Sequence, residues 1–178
     1  MARQKKWGKK GYLQDFKGNQ KEGYVYTGAY WQADEALRKP LLTKLWAGQG
    51  IGLAAALLPG FFTTAGLQNT FYVILPYVFW LICNFYLAYL LGTLTFAGNP
   101  IRNYLFERTV LRFCPWAEAA LAGAGLTALG LLIFLSRGGT GQGAGLCFAC
   151  FVLQGMSCFL IIKSNIAEPW IKVPPESK

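Results

Sequence analysis

The sequence predicts an all-α integral membrane protein with four transmembrane helices and both termini cytoplasmic. A small N-terminal β-hairpin or meander is expected on the cytoplasmic side. Three observations lead there. First, charge is missing over long stretches. Residues 45–101 carry no Asp, Glu, Lys or Arg, residues 138–162 carry none, and residues 113–136 carry only Glu118. A helix rising 1.5 Å per residue needs about 20 apolar residues to cross a bilayer, so the first gap suits two crossings. Second, a soluble helix must show a polar face every turn or two. The run "YVILPYVFWLICNFYLAYLLG" shows none. Third, of 17 basic residues only Arg137 falls on the predicted outer side. Lysine and arginine crowd cytoplasmic loops in membrane proteins. This skew explains the net charge of +9 by topology and argues against nucleic acid as a partner.

The spans are placed at 45–64, 71–96, 115–136 and 144–163, forming a transmembrane domain over 45–163. Residues 1–10 read as a basic disordered tail, attracted to anionic lipid. The polar, basic start has no early apolar run, so no secretory signal is expected. Ala2 and the end "PPESK" lack myristoylation and prenylation signatures. Residues 11–44 hold a hairpin plus a short interfacial helix. In "GYLQDFKGNQKEGYVYTGAYW" the Gly-Asn and Thr-Gly pairs separate short aromatic runs, which suggests strands at 12–16, 22–26 and 29–31. Isolated hairpins are marginal in water, so this one needs support from headgroups, from loop 97–114 or from another protein. Tyr24, Tyr26, Tyr30 and Trp31 suit an interfacial pad or a partner-docking surface. Asp34 is placed to cap a short helix over 35–39 that ends near Pro40, and Trp46 marks the inner interface.

The first span carries Gly48, Gly52 and Ala56 on one face, and the third carries Ala119, Gly123 and Thr127. Small residues let helix backbones approach closely in lipid, so these faces are expected to pack against each other or against a partner. The second span is bulky and aromatic. After it, Asn99-Pro100 is expected to start a separate interfacial helix. Residues 164–178 read as an extended cytoplasmic tail, anchored at the interface by Trp170.

The chain contains no histidine. That removes Ser-His-Asp and Cys-His catalysis, imidazole zinc sites and histidine-ligated haem. No metal and no resident cofactor are expected. Within the spans the polar candidates are Gln49, Asn84, Glu118 and Gln154. The neutral three, with Ser157, are expected to bond across helices. Glu118 is expected to reach headgroups or to pair with Arg112 or Lys163.

The remaining chemistry is the run "GLCFACFVLQGMSCFLIIK". Cys147 and Cys150 have the C-x-x-C spacing of redox dithiols, at the outer end of the fourth span. In spacing, depth and helix order, "CFAC" resembles the quinone-facing pair of the vitamin K epoxide reductase and DsbB type. The resemblance implies a four-helix thiol oxidoreductase with a quinone as oxidant. Such enzymes use a second cysteine pair outside the membrane, whereas the predicted outer loops 65–70 and 137–143 contain no cysteine. Leu146, Phe148 and Phe151 surround the pair with apolar groups, and free cysteine otherwise behaves as a small apolar residue. Structural thiols are therefore the favoured reading.

The expected role is non-enzymatic: an accessory, regulatory or structural subunit in the cytoplasmic (plasma) membrane, partnered by lipid and by copies of itself or a larger membrane complex. A small-solute transporter or channel lined by Gln49, Asn84, Gln154 and Glu118 is the alternative. The Cys147/Cys150 oxidoreductase is the second alternative.

Overall fold

The computed structural model describes residues 16–19, 23–26, 28–61, 66–67 and 70–174. The expected basic tail 1–10 and the expected strand residues 12–15 lie outside them. Four helices are long and apolar enough to cross a membrane: α1 (Glu35–Phe61), α2 (Phe71–Phe96), α3 (Asn103–Ser136) and α4 (Ala144–Lys163). Five short strands complete the fold: β1 (Phe16–Asn19), β2 (Gly23–Tyr26), β3 (Tyr30–Ala33), β4 (Ile101–Arg102) and β5 (Trp170–Val173).

α2 and α4 have the bounds read from the sequence. α1 and α3 are longer. α1 does not stop near Pro40; it begins behind Asp34, whose side chain accepts from Ala36 N at 3.0 Å, and runs through Pro40 to Phe61. A proline inside a helix costs about 3 kcal/mol or more. Here Leu41 and Leu45, 8% and 0% exposed, begin the buried face directly after it. Burying two leucines contributes roughly 1.5–3 kcal/mol each, enough to offset the proline. α3 likewise continues through Pro115, so the expected interfacial helix and third span are one element. At 34 residues it is about 51 Å long, longer than the roughly 30 Å that a bilayer's hydrocarbon core requires.

Each helix packs on two neighbours, in the cyclic order α1, α2, α3, α4. The small faces of α1 and α3 do not meet each other. A Cβ on Gly48 would stand 3.3 Å from Ile161 Cγ1, so α1 turns its small face to α4. A Cβ on Gly123 would stand 3.1 Å from the Trp80 backbone, so α3 turns its small face to α2. Small residues are matched to bulky ones across each seam. Thr127 is buried and bonds its own helix at Gly123 O; Ala56 is buried on α1 and its carbonyl accepts from Tyr77 OH; Ala119 is half-buried on α3. The outer surface carries exposed Phe79, Ile82, Phe85, Leu129, Val152 and Phe159. Apolar side chains in this number on the outside are what lipid contact requires.

The N-terminal meander does not form as expected. β1 and β2 pair antiparallel as a separate two-stranded sheet, with Asn19 opposite Gly23, and Tyr24 and Tyr26 lie on β2. β3 leaves them and becomes the middle strand of a second sheet, ordered β4-β3-β5. Trp31 stands opposite Ile101, and Ala33 opposite Trp170, both antiparallel. Segments before α1, between α2 and α3 and after α4 thus meet at one end of the bundle. The Asn99 side chain clasps β3: it donates to Ala33 O at 2.6 Å and accepts from Ala33 N at 3.1 Å. Trp31 lies flat on Phe106 of α3, with centroids 3.9 Å apart, and its indole N–H reaches Asn103 Oδ1 at 2.8 Å. Trp170 is 5% exposed and meets Phe106 edge-on. Trp170 is therefore internal packing rather than a free interfacial anchor, and Trp31 is partly buried against Phe106. Half of a short strand pair is apolar here, and Phe106 is the surface that can bury it.

Candidate functional site: a polar node inside the bundle

Helical spacing brings the neutral polar side chains together. Trp80 and Asn84 are one turn apart on α2. Gln154, Ser157 and Cys158 share a face of α4. Gln49 and Gly52 share a face of α1. Asn84 and Gln154 lie near the midpoints of their helices, so the node sits near mid-length of the bundle. Burial there is complete: Asn84 is 0% exposed, and Gln49, Gln154 and Ser157 are 1%.

The bonds form a connected set. Gln49 Nε2 donates to the Asn84 backbone carbonyl at 2.8 Å. Trp80 Nε1 donates to Gln154 Oε1 at 2.9 Å, and Asn84 Nδ2 reaches the same oxygen at 3.3 Å. Gln154 Nε2 points to Cys158 Sγ at 3.4 Å, and that thiol donates to Ala117 O on α3 at 3.1 Å. Ser157 Oγ donates to Gly48 O on α1 at 2.7 Å. All four helices are joined. In hydrocarbon, cross-helix bonds of this kind contribute roughly 0.6–2 kcal/mol each.

Gly52 is where this set closes. A Cβ there would lie 2.6 Å from Ser157 Oγ, 3.0 Å from Asn84 Oδ1 and 3.3 Å from Gln154 Oε1. Only glycine on α1 leaves room for oxygens of α2 and α4 to come to one spot. Two acceptors in the node, Gln49 Oε1 and Asn84 Oδ1, are buried without a hydrogen-bond partner. These two oxygens are left without a donor inside the node.

Glu118 is not part of the node. It is exposed on α3, and no ion pair joins it to Arg112 or Lys163 among the described residues. Cys147 and Cys150 are free thiols, 2% and 1% exposed. Cys147 packs with Leu131 and Ala144, while Cys150 belongs to the main core. No group of three His, Cys, Asp or Glu side chains capable of holding a metal comes together among the described residues.

Sequence reasoning missed the roles of Trp80, Cys158, Asn99 and Asn103. The i, i+4 spacings Trp80/Asn84 and Gln154/Cys158 were the available signal. Comparison with protein families, with curated proteins and with solved structures finds no match to this chain.

Proposed function

We propose that this chain is a four-span protein of the cytoplasmic membrane, with both ends on the cytoplasmic side, serving as a non-enzymatic accessory or structural subunit of a larger membrane assembly. The observation that supports it is the use made of the intramembrane polar groups. Gln49, Trp80, Asn84, Gln154, Ser157 and Cys158 hold neighbouring helices together, an arrangement suited to a stable scaffold. The sidedness rests on charge. The end that carries the β4-β3-β5 sheet also carries Arg38, Lys39, Lys44, Arg102 and Lys172, while Arg137 lies at the other. Purification in mild detergent followed by native mass spectrometry tests the role. A self-assembly or a co-purifying membrane protein is expected; a clean monomer with no companion counts against it.

A second reading is favoured by one specific feature. Of the four polar residues expected to line a pathway, Asn84 and Gln154 converge beside Gly52, Gln49 bonds the Asn84 carbonyl, and two acceptors stay open. A small-solute transporter or channel would use such a node as its selective point. Flux of small polar solutes into liposomes that depends on Asn84 would favour this reading over the scaffold.

A further inference from the structure

A groove of 340 Å³ lies between the start of α1 and the end of α4, at the sheet end of the bundle. That volume is at the low end of small-ligand sites, which run from about 300 to 1,000 Å³. Leu37, Leu41 and Lys44 form one wall, and Lys163 and Glu168 stand on the other. The two ammonium groups come from different helices, and neither is ion-paired to a carboxylate among the described residues; Lys163 Nζ stands 5.7 Å over the Phe159 ring, and one Glu168 oxygen accepts from Asn165 Nδ2 at 3.1 Å, which leaves its other oxygen for a ligand.

Depth gives the groove a direction. Lys44 is seven residues past Leu37 along α1, about 10 Å nearer the bilayer. Two residues further, Trp46 is half exposed and donates its indole N–H to Thr95 Oγ1, a placement typical of the headgroup boundary. Lys163 ends α4. Glu168 follows in the turn before β5, on the sheet side. The groove is therefore cationic toward the membrane and anionic away from it.

We propose that it holds the headgroup of an aminophospholipid, phosphatidylethanolamine in chemical type. The phosphate lies between the Lys44 and Lys163 ammonium groups, and the terminal ammonium points outward to the Glu168 carboxylate. Lysine binds phosphate as a point charge, and the order of charge along the groove, two ammonium groups toward the bilayer and one carboxylate away from it, is opposite to the order of charge along this headgroup. A phosphatidylglycerol headgroup offers nothing cationic to Glu168. The trimethylammonium of phosphatidylcholine has no N–H to donate. The inference rests on the reading that α1–α4 cross a bilayer.

The test uses the full chain, delipidated in detergent and titrated with phosphatidylethanolamine, phosphatidylglycerol or phosphatidylcholine of matched acyl chains, with retained lipid counted by native mass spectrometry. Phosphatidylethanolamine is expected to be retained about two- to fivefold better than phosphatidylcholine, the ratio corresponding to one partly exposed charged bond. Glu168→Gln should remove that preference, while Lys44→Gln with Lys163→Gln should lower retention of all three lipids. These side chains are exposed, so the variants keep the fold. Equal or better retention of phosphatidylglycerol overturns the proposal, as does a preference that survives Glu168→Gln. Competition by soluble phosphoethanolamine at equal concentration would assign the groove to a free phosphate ester and also overturn it. A chain that needs detergent yet shows no preference defeats this inference alone; a chain soluble without detergent defeats the membrane reading itself.

Discussion

Adding one methyl group at Gly52 should destabilise the bundle, whereas adding the same group two residues earlier should not. In Gly52→Ala the new Cβ would stand 2.6 Å from Ser157 Oγ and 3.0 Å from Asn84 Oδ1. Ser157 can retreat only by giving up its 2.7 Å bond to Gly48 O. Overpacking costs about 1–3 kcal/mol, and the lost cross-helix bond adds roughly 0.6–2. Replacing glycine by alanine in a helix returns about 1 kcal/mol. The net loss is about 1–4 kcal/mol. Gly50 has nothing within 4 Å of its would-be Cβ, so Gly50→Ala keeps only the favourable part, up to about 1 kcal/mol. Reversible unfolding of the purified protein in mixed micelles, followed by tryptophan fluorescence, measures both. If Gly52→Ala proves as stable as Gly50→Ala, the close approach of α1 to α4 described above is wrong.

Other expectations are as direct. Asn84→Leu and Gln154→Leu should each destabilise by about 1–2 kcal/mol. Their double mutant should cost less than the sum, because Asn84 Nδ2 bonds Gln154 Oε1; simple additivity in the same unfolding assay would show that the two amides do not interact. Asn99→Ala removes both side-chain bonds to Ala33, so amide exchange in β3 should accelerate several-fold while α2 and α4 keep their protection. Cys147 and Cys150 should resist a membrane-impermeant thiol reagent in the folded protein and react after denaturation, with or without reductant. Labelling that appears only after reduction would reinstate the dithiol enzyme.

Phe71–Phe96 and Ala144–Lys163 could be read to the residue because each is a charge-free run bounded by turn residues or a lysine. The ends of α1 and α3 could not. Pro40 and Pro115 are local stop signals, and burial of Leu41 and Leu45 after the first, and of Phe113 and Ala117 on either side of the second, overrides them. A local rule fails where the compensating contacts come from distant segments. The strands show the same limit. Tyr30–Ala33 has a strand's composition, yet its partners are Ile101–Arg102 and Trp170–Val173. Nothing within a window around Tyr30 names them. Trp31 and Trp170 look like interfacial aromatics until Phe106 is brought beneath them.

The sequence by itself determined that four helices are long and apolar enough to cross a membrane and that basic groups collect at one end. Both follow from the cost of placing charge in hydrocarbon, which acts on each residue without regard to its neighbours. Which small face meets which helix was decided only by tertiary structure, as was the convergence of Asn84, Gln154 and Ser157 beside Gly52 and the joining of three separate segments into one sheet. Those outcomes depend on steric fit and hydrogen-bond geometry between residues far apart in the chain, and such pairings exist only once the bundle has closed.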